Sequence, residues 1–172
     1  NNIYLRKLQL SDVTREYASW MNSYGNRYIL NAPFTNTQKK LKKYVSQKLQ
    51  NPNSLFFAIV DINSNKHIGN TKLEPINWKK KEAIIGRIVG PKKFKYRGIG
   101  TESSRLLLNF AFKILKLKKV DGYVLEENIP SIKSNIKNGF IVNKKKNTTQ
   151  YIRKKVRKLL CMTITKQKFL KK

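Results

Sequence analysis

The sequence predicts a mixed α/β fold, with a mostly antiparallel central sheet and helices on both faces. Two patterns carry that expectation. Residues 55–89 contain three strand-like apolar runs separated by short polar turns, the mark of an antiparallel meander. Residues 83–142 then read strand, helix, strand, helix, strand. With 172 residues and 40% hydrophobic content the chain is expected to form one domain, residues 1–172, with a substantial core.

Taken in order, Ile3-Tyr4-Leu5-Arg6-Lys7-Leu8 alternates like an edge strand. Ser11 is placed to cap a helix whose apolar side carries Tyr17, Trp20 and Met21. Residues 23–28 read as a turn. Thr35 is expected to open a very basic helix ending at Gln50, with Leu41, Tyr44, Val45 and Leu49 inward. The meander strands are residues 55–60, 67–74 and 82–89. After the central helix, residues 120–125 read as a strand and residues 130–137 as a helix, with Pro130 near its start and Gly139 past its end. Residues 140–142 and 159–165 are the last strands. The basic connection at 143–158 has no readable pairing.

Composition narrows the function classes. A single cysteine, Cys161, excludes an internal disulfide framework and a cysteine-based zinc site, and fits a reducing cytoplasm; no metal is expected. No apolar run has membrane-spanning length, and the first residues do not read as a signal peptide. The formal net charge is +29, with lysines in nearly every segment rather than in one arm. That spread fits compositional drift toward Lys, Asn and Ile, while a basic surface also suits nucleic acid or polyphosphate ligands.

The densest chemical signal lies at residues 94–102. Phe94-Lys95-Tyr96-Arg97-Gly98-Ile99-Gly100-Thr101-Glu102 follows a strand and Pro91, and leads into a helix. Glycines let a backbone approach a ligand closely or take positive φ. The first amides of a helix lack intrahelical acceptors and sit at its positive dipole end. A pyrophosphate fits such a turn, with Lys95 and Arg97 adding charge. Ser103, Leu106, Leu107, Phe110, Ile114 and Leu117 recur at helical spacing and form the expected inward stripe. No Gly-Lys-Ser/Thr closes a Walker-type loop, and Ser103 stands where a dinucleotide fingerprint has its third glycine.

Lys95-Tyr96-Arg97-Gly98-Ile99-Gly100 resembles the acyl-CoA pyrophosphate loop of the GNAT acetyltransferase superfamily, Arg/Gln-x-x-Gly-x-Gly/Ala. A second piece, Asn128-Ile129-Pro130-Ser131 leading to Asn138-Gly139-Phe140, is similar to that superfamily's Asn-x-x-Ser/Ala segment ending in Gly-Phe. The resemblance runs from Ile3 to about Lys168. It implies a GNAT-like sheet whose central strands splay into an acyl-CoA cleft, and acetyl-CoA as co-substrate. It also implies that the backbone of Ile88, Val89 and Gly90 binds pantetheine and polarises the thioester. Lys95, Tyr96, Arg97, Gly98, Ile99, Gly100 and Thr101 would hold the pyrophosphate, and Asn128 and Ser131 would touch the pantetheine arm. Asn128 also reads simply as a helix cap.

Three departures from the family pattern bear on catalysis. Lys95 keeps charge but lacks the planar fork of arginine. Asn135 stands where many relatives carry a tyrosine that protonates the leaving thiolate, and Ile84 where some place a glutamate. Either water or another tyrosine then protonates the thiolate, or no acid is needed; Tyr123 and Tyr151 are candidates only by elimination. Glu74, Glu82, Asp61, Glu126 and His67 are the available bases. Glu74 is preferred because it ends a central strand before Pro75-Ile76-Asn77, although it also reads as a surface carboxylate among lysines.

For the acceptor, residues 68–73 with 75–77 resemble acetyltransferases of nucleotide-linked amino sugars, the preferred reading. Leu5-Arg6 and Trp20-Met21-Asn22 also occur in enzymes that acetylate ribosomal-protein N-termini. Trp20, Tyr24, Tyr28, Phe34 and Trp78 are aromatics able to stack on a ring. A third reading is a basic nucleic-acid-binding module on the same scaffold. The expected assembly is a monomer or homodimer.

Overall fold

The computed structural model describes residues 2–23, 28, 37–152 and 155–171. Its strands are β1 (Ile3–Lys7), β2 (Leu55–Asp61), β3 (His67–Asn77), β4 (Glu82–Val89), β5 (Lys119–Leu125), β6 (Ile141–Val142), β7 (Thr148–Ile152) and β8 (Lys155–Thr165). They form one sheet in the order β1-β2-β3-β4-β5-β8-β6, with β7 also on β8. The helices are α1 (Arg15–Asn22), α2 (Gln38–Gln50), α3 (Ile99–Asn109), α4 (Ile129–Lys137) and α5 (Lys166–Leu170).

The meander forms as the turn residues and apolar runs require: β1 to β4 pair antiparallel in sequence order. Between β4 and β5 the pairing is parallel and brief. It joins residues 82–84 to residues 119–121. Beyond those pairs β4 stays with β3, and β5 stays with β8 through Leu125↔Leu159. The sheet is therefore split at its centre from Ile85 and Gly122 onward. This is the splayed cleft expected above.

Each face of the sheet is closed by its own helices. On one face Leu107, Leu108 and Phe112, all fully buried, pack with Leu73, Ile85, Val120 and Met162. On the other, α1 and α2 lay Tyr17, Trp20, Leu41 and Val45 on Phe56, Ala58 and Val60. Each such side chain contributes about 1.5–3 kcal/mol of burial.

Several elements differ in detail from the sequence expectation. Ser11 lies in a 3-10 turn, Leu10–Asp12, and Thr14 caps α1 by accepting from the Tyr17 N–H at 3.1 Å. Thr37 caps α2 through the Lys40 N–H. Thr35, with Tyr24 and Phe34, lies outside the described residues. The helical stripe holds for Ser103 and Leu107, then slips. A π-turn at Phe110–Ile114 inserts a residue, so Phe112 and Leu117 are buried and Ile114 is 65% exposed. The unreadable segment 143–158 supplies β7, which pairs antiparallel with the early part of β8. Its side chains are polar or basic almost throughout, so no apolar alternation announces it.

Candidate active site

The split between β4 and β5 opens a cleft of about 820 Å³ that reaches both faces of the sheet. On the α3/α4 face it is walled by residues of the 95–101 turn, by Arg87 and by Ser131, Ser134 and Asn135. On the α1/α2 face it is walled by Tyr17, Tyr44, Lys40, Lys72 and Glu74.

The turn is shaped by two positive-φ residues, Tyr96 at +63° and Gly98 at +79°. Gly98 caps α3, and nothing lies within 4 Å of where its Cβ would be, so backbone conformation rather than crowding demands glycine there. The expectation that Gly100 shares this role is corrected. Gly100 is helical, and its Cβ would point at the Arg87 Nε, 3.3 Å away, so the absent side chain makes room for Arg87. Ile99 does not line the cleft, and its side chain is buried with Ile3, Ile59 and Ile68. Lys95 and Tyr96 line the cleft, whereas the exposed Arg97 does not. Burial lowers the Lys95 ammonium below its usual range. Thr101 ties α3 to α4: its Oγ1 is 2.9 Å from Ser134 Oγ, and its carbonyl accepts from Asn138 Nδ2 at 3.0 Å.

Of the three strand residues expected to present backbone groups, Val89 alone is suitably turned. The Gly90 N–H donates to the Ile68 carbonyl at 2.9 Å. Strand alternation then directs Ile88 to β3 as well and turns Val89 toward the open edge. Gly90 is glycine for another reason: its Cβ would lie 2.0 Å from the Trp20 ring. Asn128 acts as the cap of α4, accepting from the Ser131 N–H at 3.3 Å, and both residues also line the cleft.

Among the expected bases only Glu74 reaches the cleft wall. Its carboxylate is clasped by Lys48 at 2.5 Å and Lys72 at 2.7 Å. Burial pushes its pKa up, but the two lysines outweigh that and hold it below the usual carboxylate range. Such a group is a weak proton acceptor at neutral pH. His67 donates from Nε2 to the Gly69 carbonyl at 2.9 Å and packs against Tyr17 and Trp20. Glu82 pairs with Lys119, and Asp61 holds the turn through Ser64. Of the two tyrosines, Tyr123 lines the cleft, while Tyr151 is 71% exposed away from it. Burial, then neighbouring Cys161, raises the Tyr123 phenol, so it stays protonated through neutral and mildly basic pH. Gly122 faces Ile85 and Asn135, so Tyr123 projects to the opposite, α1/α2 side.

Two groups were missed. Arg87 lies in the middle of β4, half-buried, and its Nη1 donates to Ser104 Oγ at 2.9 Å and Asn135 Oδ1 at 2.8 Å. A lone arginine inside Ala83-Ile84-Ile85-Gly86-Arg87-Ile88-Val89 was the available signal. Lys72 is the other, reaching Tyr44 Oη at 3.3 Å on the acceptor side. Trp20 is core and Trp78 bonds the Pro52 carbonyl at the surface, so neither stacks in the cleft.

Comparison with known proteins agrees with this architecture. Residues 2–141 match the family model of the acetyltransferase (GNAT) domain. The chain is 24% identical over 131 residues to an uncharacterized N-acetyltransferase, p20, of Bacillus licheniformis, covering 75% of this chain and 73% of that protein. Its fold superposes on spermidine N-acetyltransferase from Vibrio cholerae, solved with CoA and spermine, with a TM-score of 0.86 at 20% identity over 98% of both chains. A single-site mutant of the Vibrio cholerae enzyme gives 0.81 at 22% identity over 97% of both chains. A split sheet with a glycine-capped helix at its mouth and a matching family model together settle the class: the chain belongs to the GNAT acetyltransferase family, acetyl-CoA-dependent enzymes that acetylate amines.

Proposed function

We propose that this acetyltransferase acts on the primary amine of a small acceptor that also carries negative charge, a nucleotide-linked amino sugar being the type that fits. One observation carries the reading. Among the described residues, the acceptor side of the cleft is lined by the cations Lys40 and Lys72 and by one carboxylate, Glu74. That carboxylate is already held by two lysines. An acceptor that is itself a polycation would meet these lysines with like charge, whereas a phosphate-bearing amine would meet them with opposite charge.

The chemistry divides between the two faces. Residues 95–101 and the first amides of α3 hold the coenzyme's pyrophosphate, with the pantetheine arm in the β4–β5 gap. Val89 presents main-chain groups to that gap, where a donor would stabilise charge developing on the thioester oxygen. The acceptor enters from the α1/α2 face, where Lys40, Lys72 and Tyr44 meet its anionic part. As the amine nitrogen bonds to the acetyl carbon, the carbon–sulfur bond breaks and the amine sheds a proton. Tyr123 supplies a proton to the departing sulfur, because its phenol is kept protonated and it lines the cleft on the acceptor side. Water takes the amine's proton. An amine with a pKa near 8 (the α-amino reference is about 7.7–8.0) is already partly neutral at pH 7, so no strong base is required.

The test is steady-state turnover with acetyl-CoA, comparing a nucleotide-linked amino sugar with spermidine and with a peptide N-terminus. The amino sugar should give the highest kcat/KM. A preference for spermidine would overturn the charge argument, and a preference for the peptide would return the acceptor to protein N-termini.

A further inference from the structure

Arg87 is out of place for a strand residue. It follows the core residue Ile85 on the same face of β4, and its guanidinium sits between α3 and α4, bonded to Ser104 and Asn135 in their second turns. Nη1 bonds Ser104 and Asn135, and Nη2 reaches the Ser131 carbonyl at 3.4 Å. Its Nε lies beneath Gly100, in the first turn of α3. All these partners are neutral. Burial lowers the guanidinium's pKa to about 10, so the group stays charged at neutral pH, and among the described residues no carboxylate pairs with it to offset the desolvation cost.

A chain with 38 lysines and arginines has no general need of one more cation, least of all inside the fold. Neutral hydrogen-bond partners could be served by a glutamine. What a glutamine would lack is fixed charge directly below an anion-binding helix end. There the low surrounding dielectric preserves the attraction that water screens at the surface. The missing side chain at Gly100 keeps this approach open.

Building on the coenzyme placement above, we propose that Arg87 is a positioning residue for the coenzyme, a half-buried cation beneath the first turn of α3 that draws the phosphate-bearing end into place. A charge and a mere brace separate experimentally. A brace affects any thioester in the cleft, whereas a charge affects only one that carries phosphates.

The experiment measures kcat and KM for acetyl-CoA and for acetyl-pantetheine, which lacks the phosphates, in wild type, Arg87→Met and Arg87→Lys. Direct titration with coenzyme A accompanies the kinetics. Arg87→Met should raise KM for acetyl-CoA about tenfold with kcat within twofold, and leave kcat/KM for acetyl-pantetheine within twofold of wild type. Arg87→Lys, which retains charge without the fork, should keep most of the preference for acetyl-CoA. Equal losses on both thioesters in Arg87→Met would reduce Arg87 to a brace, and unchanged coenzyme affinity would remove it from the site. If Arg87→Met does not fold, loss of the acetyl-CoA preference in Arg87→Lys would contradict the proposal in its place. Failure of wild type to bind coenzyme A would instead defeat the coenzyme placement itself.

Discussion

Glu74 shows how a residue legible in the sequence can have its chemistry set by partners that only the fold supplies. Its place at the end of a central strand located it on the cleft wall. Its two lysine partners come from α2 and from β3 itself, and only the fold brings Lys48 near. Because those lysines keep the carboxylate ionised well below neutrality, Glu74→Gln should leave the shape of the kcat/KM profile between pH 6 and 9.5 unchanged. The effect should appear in the acceptor's KM, as Lys48 and Lys72 are released. Loss of rate confined to the acid side would restore Glu74 as base. Tyr123 makes the opposite prediction: Tyr123→Phe should lower kcat by roughly 10- to 100-fold without abolishing turnover, since a thiolate leaves tolerably without a positioned acid. Stopped turnover, or an unchanged kcat, would move the acid elsewhere. The glycines divide in the same way. Gly98 was readable as a positive-φ position, but the reasons for Gly90 and Gly100 lie in Trp20 and Arg87, distant in sequence.

At the scale of elements, what was legible was whatever carries a period. The meander, α1, α2 and α4 follow from apolar spacing and cap residues, with shifts of a few residues at their starts. The π-turn after α3 was not legible, because one inserted residue leaves the composition unchanged while moving the phase of the stripe. The β7–β8 hairpin was hidden by its polar side chains, held as it is by backbone pairing on a sheet edge. The cap of α4 gives an element-level prediction. Asn128→Ala removes the side-chain acceptor for the Ser131 N–H, leaving its bond to the Asn128 carbonyl, and should cost about 1 kcal/mol of stability, read as a lower urea midpoint. If Asn128 also touches the pantetheine arm, coenzyme affinity will fall more than the stability loss explains.

For the whole molecule the dominant property is charge, and most of it is repelled by itself. The Arg6–Asp12 pair is one of the few local compensations, with both oxygens of Asp12 bonded at 2.6 and 2.7 Å. Burial raises the Asp12 pKa, but Arg6 and the Gln9 N–H outweigh it and leave it below the usual value of 3.8. A depressed folded pKa means that this stabilisation is present above about pH 4 and is lost as pH falls through the folded value. Asp12→Asn should therefore lower Tm at pH 7 and flatten its decline in acid; an equal Tm deficit at pH 7 and pH 2.5 would contradict this. The same diffuse charge should give only weak, steeply salt-dependent and sequence-indifferent binding to oligonucleotides. Its consequence for function is the choice of acceptor, which competition assays test most directly. With acetyl-CoA and equal concentrations of a nucleotide-linked amino sugar and spermidine, the amino sugar should be acetylated at least tenfold faster. Faster acetylation of spermidine would contradict the account.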